Sequence, residues 1–240
     1  MGLLDLPAFL WSWTDIQMAA MMPPTARIVA WGIVAAIVSL GLYWLLSPQS
    51  RMVRISQEER RIKTTLRDDT LEMAEGLAAA RALLRLALTR LGLVLLPVLL
   101  AALPLLSLMS WLEANYAYNL PPLGQTAEVR VEPHVANGRW IATESAPPRV
   151  EVVDDRGSLM QSVQVQVPIP VIEKRSWWNA LIGNPLGYLP DDSPIDRIDI
   201  ALPASQYLTV GPVWARGWVA PFIATMLVGS MFLKFMFRIQ

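Results

Sequence analysis

The sequence predicts an α-helical membrane protein with three transmembrane helices, a cytoplasmic helical hairpin and an inserted, exported all-β domain that is sandwich-like. Three observations carry this prediction. The 240-residue chain is 54% hydrophobic with a mean hydropathy of +0.38, which is too apolar for an ordinary soluble domain. Its apolar residues gather into three long runs, and the two segments between these runs differ in the sign of their charge. The second of these segments also alternates apolar and polar residues, which is typical of β-strands.

The three apolar runs cover residues 26–46, 91–112 and 217–237. The first two each hold about twenty residues without an internal charge, which is the length of helix that crosses a hydrocarbon core of about 30 Å. The third is interrupted only by Lys234, whose long side chain can reach the interface from near the end of a span. We therefore predict transmembrane helices at 26–46 and 91–112, and a third one with a short cytoplasmic tail within 217–240.

The charges of the two connecting segments predict the orientation. Residues 47–90 hold nine Lys and Arg against six Asp and Glu, a net charge of +3, whereas residues 113–216 hold eight against twelve, a net charge of −4. Short loops rich in Lys and Arg stay on the cytoplasmic side of a membrane. This pattern predicts that 47–90 is cytoplasmic and 113–216 lies outside a bacterial inner membrane, with the N-terminus outside and the C-terminus in the cytoplasm.

Residues 1–25 precede the first span, and we predict that they form an interfacial helix on the outer side. At helical spacing, one side of this segment collects large apolar residues, as interfacial helices do. These residues are Leu6, Phe9, Leu10, Trp13 and Ile16. The alternative is a disordered leader in which these hydrophobic residues occur by chance.

Residues 47–90 are predicted to form a hairpin of two amphipathic helices. Ser47 can cap the first helix and Pro48 can occupy its first position, while the sequence RDDT indicates a break before the second. The second helix has an apolar side with arginines close by, and this surface is a candidate binding site. Its residues are Met73, Leu77, Leu84, Leu88, Arg81, Arg85 and Arg90. The alternative is a linker whose arginines fix the topology and bind lipid headgroups.

The exported segment 113–216 changes to a two-residue period of apolar and polar side chains. The alternating apolar positions are Val129, Val131, Val150, Val152, Val163, Val165, Val167, Ile195, Ile198 and Ile200. The sequence DDRG between two of these stretches indicates a hairpin turn. Together the stretches predict a small antiparallel β-sandwich of roughly 90 residues.

Within this β-rich segment, Trp177, Trp178 and Tyr188 stand among turn-forming residues and aliphatic side chains. Tryptophan and tyrosine favour both membrane interfaces and protein interfaces. The stretch is therefore a candidate loop for contact with lipid or with a partner protein. Packing of the same side chains in the core of the sandwich is the alternative.

The sequence shows no pattern typical of an enzyme. It has no G-x-S-x-G, Walker A or G-x-G-x-x-G motif, and the acidic pairs Asp154/Asp155 and Asp191/Asp192 stand beside Gly or Pro, where turns account for them. The chain has no cysteine, and His134 is its only histidine, so neither a thiolate site nor a zinc or copper site is expected. We predict no enzymatic activity, no cofactor and no nucleic-acid partner.

Two stretches carry a resemblance to a known family: LLSPQSRMVRISQEERRIK after the first span, and RALLRLALTRLGLVLLPVLLAALPLL into the second. With this order of elements the chain resembles the YidC-like membrane protein insertase superfamily. It is most similar to the three-span branch, which includes the third subunit of the endoplasmic reticulum membrane protein complex. Two further stretches, KRSWWNALIGNPLGYLPDD and GPVWARGWVAPF, are similar to segments of bacterial membrane proteins.

The resemblance implies a bundle whose spans form a groove open to the cytoplasm, where the hairpin receives a hydrophobic segment of a nascent or unassembled membrane protein. The chain departs from the family in two ways. Its basic residues Arg27, Arg90 and Lys234 lie at the ends of spans rather than within a groove, and a β domain replaces a short connection. A structural accessory subunit of a larger membrane complex is the main alternative, and an exported ligand-binding module tethered by its spans is a third class.

Overall fold

The fold is given by a computed structural model of the chain. It describes residues 2–46, 49–65, 73–133 and 136–237. Within these residues three helices are long and apolar enough to cross a membrane, as the sequence predicts. They cover Pro24–Leu46, Gly76–Tyr116 and Val219–Met236. The prediction of a membrane protein with transmembrane helices is thus supported by helix length and composition together.

The helices and strands of the described residues follow one another in the predicted order. The α-helices are α1 (Ala8–Ala19), α2 (Pro24–Leu46), α3 (Gln49–Thr65), α4 (Met73–Tyr116) and α5 (Val219–Phe237). The strands are β1 (Val129–Glu132), β2 (Asn137–Thr143), β3 (Ala146–Val153), β4 (Leu159–Gln164), β5 (Val171–Glu173) and β6 (Arg197–Ile200). Short 3-10 helices cover Leu3–Asp5, Trp177–Ala180 and Val213–Ala215.

Helix α2 packs against both α4 and α5 and so forms the centre of the helical part. Small residues bring α2 and α5 close together: a Cβ atom placed on Gly32 would lie 2.9 Å from the carbonyl oxygen of Phe222. One turn further along, a Cβ atom on Gly229 would lie 3.3 Å from that of Ala36. Small residues suit membrane helices, since packing rather than water exclusion holds such helices together.

Helix α4 is a single helix of 44 residues with Pro97 and Pro104 inside it. The sequence prediction divides this region into the second arm of the hairpin, which ends at residue 90, and a span over 91–112. The structure has no break there, because the residues around Arg90 are mostly Leu, Ala and Arg, which favour helix. The predicted RDDT break and the cap at Ser47 and Pro48 lie outside the described residues.

The β-rich segment forms two antiparallel sheets of three strands each, with the orders β1-β6-β5 and β2-β3-β4. The predicted DDRG hairpin joins β3 to β4. Its Asp154 accepts hydrogen bonds from the backbone N–H groups of Arg156 at 2.9 Å and Ser158 at 2.7 Å. Gly157 has a φ of +81°, which favours glycine at this turn.

The inner faces of the two sheets share one core, in which the predicted alternating residues Val150, Val152 and Ile198 are fully buried. The sheets approach each other most closely where β1 meets β2. A Cβ atom on Gly138 would collide with Cγ1 of Val129, so only glycine fits without displacing the neighbouring strand. The segment that enters the β domain lies beside the segment that leaves it, since the Asn119 N–H donates to the carbonyl of Pro203 at 2.9 Å.

Candidate functional site

Helix α3 runs back along α4 and forms the predicted hairpin with it. Glu59 links the two helices: its carboxylate lies 2.5 Å from Nζ of Lys63 on α3 and 3.4 Å from Nη1 of Arg90 on α4. The hydrogen bond from Lys63 lowers the pKa of the Glu59 carboxyl, and the charges of Lys63 and Arg90 act in the same direction. Arg90 therefore marks the side of α4 that faces α3.

The candidate leucines lie on a different side of α4. Leu77, Leu84 and Leu88 are 55%, 62% and 60% exposed, and at about 100° per residue they fall opposite Arg90 on the helix. The same side continues into the apolar span. We call this surface the leucine stripe, and it consists of Leu77, Leu84, Leu88, Leu91, Leu95, Leu99 and Leu106, all of which are exposed.

The candidate arginines occupy two places. Arg81 and Arg85 are exposed: at about 100° per residue, Arg81 lies within the leucine stripe between Leu77 and Leu84 and Arg85 lies at its edge. Arg90 instead contacts α3 through Glu59. The side chain of Met73 lies outside the described residues. The structure thus brings the leucines together with two of the three arginines. They lie on the outer face of α4, directed away from α2, and not in a groove between the spans.

The length of α4 divides the leucine stripe between two environments. A helix of 44 residues is about 66 Å long, roughly twice the hydrocarbon thickness of a bilayer. Glu113 near the C-terminal end of α4 contacts Trp218, which immediately precedes α5. If the bilayer begins near Glu113, about twenty residues bring α4 to its other boundary close to Leu91. Leu77, Leu84 and Leu88 then lie beyond the hydrocarbon.

A buried polar cluster joins α1, α2 and α4 at the other end of the bundle, and sequence reasoning does not identify it. Asp15 accepts hydrogen bonds from Nη1 of Arg27 at 2.6 Å, from Nε1 of Trp31 at 3.1 Å and from the hydroxyl of Tyr116. The side chains of Arg27 and Asp15 are only 17% and 14% exposed. An acid and a base on either side of a short turn are the signal that could have indicated this pair.

Aromatic rings extend this cluster towards the β domain. The rings of Trp11, Trp31, Trp111, Tyr116 and Tyr207 follow one another with centroids 5.6 to 6.0 Å apart, which is within the range of favourable aromatic pairs. The Tyr207 hydroxyl donates to the carbonyl oxygen of Tyr116 at 2.9 Å, and burial raises the pKa of the Tyr207 phenol. The cluster therefore fixes the segment after the β domain to the bundle.

The three residues of the candidate lipid or partner loop have different surroundings. Trp177 is 85% exposed and Trp178 is 42% exposed, so neither ring belongs to the core shared by the two sheets. Tyr188 is half-buried, and its hydroxyl accepts a hydrogen bond from the N–H of Asn184 at 2.9 Å. Tyr188 thus supports the loop, while the tryptophans form its surface.

No arrangement typical of a metal centre is found among residues 2–46, 49–65, 73–133 and 136–237. Their His, Cys, Asp and Glu residues form no group of three that could hold a metal ion. His134 lies outside these ranges. A cleft of about 390 Å³ lies between β4 and the segment around Ile172 and Leu186, and Gln161, Gln164 and Gln166 are among the residues that line it.

Comparison of the chain with protein-family models, with curated proteins and with solved structures finds no match. The resemblance to the YidC-like superfamily therefore stays a prediction.

Proposed function

We propose that this chain assists the insertion or assembly of membrane proteins by holding apolar helices of its clients against the leucine stripe of α4. One observation carries the proposal: exposed leucines continue along one side of α4 from Leu106 in the apolar span to Leu84, and this helix of 44 residues is about twice as long as a bilayer core is thick. Exposed leucines in water are costly, at about 25 cal/mol for each Å² of apolar surface. A client helix covers them, as amphipathic helices cover grooves in other recognition systems.

Continuity of the stripe also offers a route from water into lipid. A client helix bound near Leu84 exchanges one set of leucines for the next as it moves towards Leu99, so no apolar surface has to be exposed on the way. Arg81 lies at the start of this route and Arg85 at its edge, where they can contact lipid headgroups or the acidic ends of a client.

A fixed subunit of a larger membrane complex is the second candidate function. The observation that favours it is a second exposed apolar surface, formed by Val210, Val213 and Trp214 in the segment between the β domain and α5. A permanent partner protein could cover this surface and the leucine stripe together, whereas transient clients require only the stripe.

Photo-crosslinking distinguishes the two functions. A photoreactive amino acid at Leu84 should capture nascent membrane proteins of different sequence during translation, because Leu84 is exposed on the stripe. The matched control is Leu86, a half-buried leucine that shares the side of α4 on which Arg90 contacts α3. A probe at Leu86 should crosslink within the chain. Capture of one and the same protein at Leu84, with or without translation, would contradict client binding and favour the fixed subunit.

Orientation is tested separately. We expect the hairpin to be cytoplasmic and the β domain to be exported in a bacterial inner membrane, because residues 47–90 carry +3 and residues 113–216 carry −4. The chain has no cysteine, so a single cysteine in Gln57→Cys or Ser162→Cys gives an unambiguous label. Ser162→Cys should react with an impermeant maleimide once the outer membrane is permeable, and Gln57→Cys only after lysis. The reverse pattern would invert the topology and exclude a cytoplasmic client site.

A further inference from the structure

Two exposed apolar segments that are far apart in the sequence meet at one end of the bundle. The backbone N–H of Leu4 donates to the carbonyl oxygen of Leu181 at 2.9 Å. Asp5 adds a second link, because its Oδ2 accepts hydrogen bonds from the N–H groups of Gly2 at 2.7 Å and Gly183 at 2.9 Å. The Trp177–Gly183 loop of the β domain is therefore bound to the start of the chain just before α1.

The depth of this junction follows from its contact with α4. Ser107 donates a hydrogen bond to the carbonyl oxygen of Leu4 at 2.6 Å. Glu113, which accepts from Nε1 of Trp218 at 3.1 Å, lies level with the start of α5. Since α5 has only 19 residues, about the minimum for a span, its start marks the outer edge of the hydrocarbon. Ser107 precedes Glu113 by six residues, so the junction lies about 9 Å inside that edge.

The surface of the junction is apolar. Trp177, Leu181 and Ile182 are exposed on the loop, and Phe9 and Trp13 are exposed on the neighbouring α1. Arg175, which precedes the loop, is exposed and can reach phosphate groups at the interface, whereas Lys174 pairs with Asp196 at 2.8 Å.

Several polar groups of the loop are satisfied within the protein, as membrane depth requires of irregular backbone. Asn179 is buried, and its side chain accepts from the N–H of Ser176 at 2.6 Å and donates to the carbonyl of Ile182 at 3.4 Å. The N–H groups of Leu181 and Ile182 both donate to the carbonyl of Trp178. The Leu181 carbonyl and the Gly183 N–H have the partners on the N-terminal segment described above.

We propose that the Trp177–Gly183 loop and α1 are inserted together into the outer leaflet, with lipid acyl chains covering their exposed side chains. The depth of about 9 Å agrees with the burial of interfacial helices in the boundary between headgroups and acyl chains. Lipid rather than a partner protein is the occupant, because the junction contacts α4 at Ser107, within the apolar span of that helix. The link through Asp5 makes the insertion of the loop depend on the N-terminal segment.

Spin labels in the full chain test this insertion. Single cysteines are introduced by Trp177→Cys, Phe9→Cys and, as a control, Leu159→Cys, which replaces an exposed leucine beside the β3–β4 turn. The labelled proteins are reconstituted into vesicles of phosphatidylcholine and phosphatidylglycerol. Labels at the first two positions should collide with molecular oxygen and lose collisions with a water-soluble nickel chelate, while the label at Leu159 should show the opposite.

Each other outcome contradicts the proposal. Nickel collisions at Trp177 equal to those at Leu159 would place the loop in water. Protection from both reagents would show that protein covers it.

Adding Asp5→Ala to Trp177→Cys should shift the label towards water, because the N–H of Gly183 loses its acceptor. An unchanged label mobility at Leu159 in the same background shows that the β domain stays folded, and an unchanged depth at Trp177 would refute the link through Asp5.

Discussion

Replacing Asp15 by alanine should lower the free energy of unfolding by about 3–5 kcal/mol, the range found when one partner of a buried ion pair is removed. The carboxylate is the shared acceptor for Arg27, Trp31 and Tyr116, so its loss leaves a guanidinium, an indole N–H and a phenol without their common partner. Because these donors come from α2 and α4, the contact of α1 with both helices is expected to loosen. Thermal unfolding in mild detergent, followed by tryptophan fluorescence, measures the effect.

Two controls separate this effect from a general loss of charge. Asp155→Ala removes an exposed acid and should change stability by no more than about 0.5 kcal/mol. Adding Arg27→Met to Asp15→Ala removes the stranded cation as well, so the double variant should be less destabilised than the sum of the single changes. Additive effects of the two changes would show that Asp15 and Arg27 do not act as a pair.

The features that the sequence predicts correctly are those with a local signal. The presence of three long apolar helices follows from runs of apolar residues, and the strands follow from alternation, as in Val150 and Val152. The DDRG turn is predicted for the same reason, since Asp154 bonds to the backbone only two and four residues away. None of these features depends on knowing which distant segments meet.

The features that sequence analysis misses are contacts over long separations. Asp15 bonds to Tyr116, 101 residues away, and Asp5 bonds to Gly183, 178 residues away. A single acidic residue in the apolar N-terminal segment does not indicate its distant partner, because the two come together only when the helices and the β domain pack. The continuity of α4 through Arg90 has a different cause: Leu, Ala and Arg all favour helix, so a change from a charged to an apolar sequence need not end one.

The candidate site on α4 contains one feature that the sequence predicts and two that it does not. Helical spacing is enough to place Leu77, Leu84 and Leu88 on one side of α4, and they do share an exposed side. Spacing alone does not reveal that Arg90 turns towards Glu59 on α3, since that depends on how the hairpin closes. It also does not reveal that the leucine stripe continues to Leu106, because the sequence divides this helix into two segments.

Replacing Gly32 by leucine should separate α5 from α2. A Cβ atom at this position would lie 2.9 Å from the backbone oxygen of Phe222 and 2.9 Å from Cβ of Thr225, and neither atom can turn away as a flexible side chain would. Overpacking of this kind costs about 1–3 kcal/mol or more. Lipid tails provide no hydrophobic force that would bring the two helices back together, so the loss of close packing is not offset.

A disulfide reporter measures the separation directly in this cysteine-free chain. Ala36→Cys and Gly229→Cys place cysteines where the two Cβ atoms approach to 3.3 Å, close to the spacing that a disulfide requires. Oxidation should protect both thiols from maleimide in the otherwise unchanged chain and fail to do so after Gly32→Leu. The matched control is Gly41→Leu on the same helix, where an added Cβ has no neighbour within 4 Å and protection should persist. Equal protection in both variants would contradict the close contact of α2 and α5 on which the bundle depends.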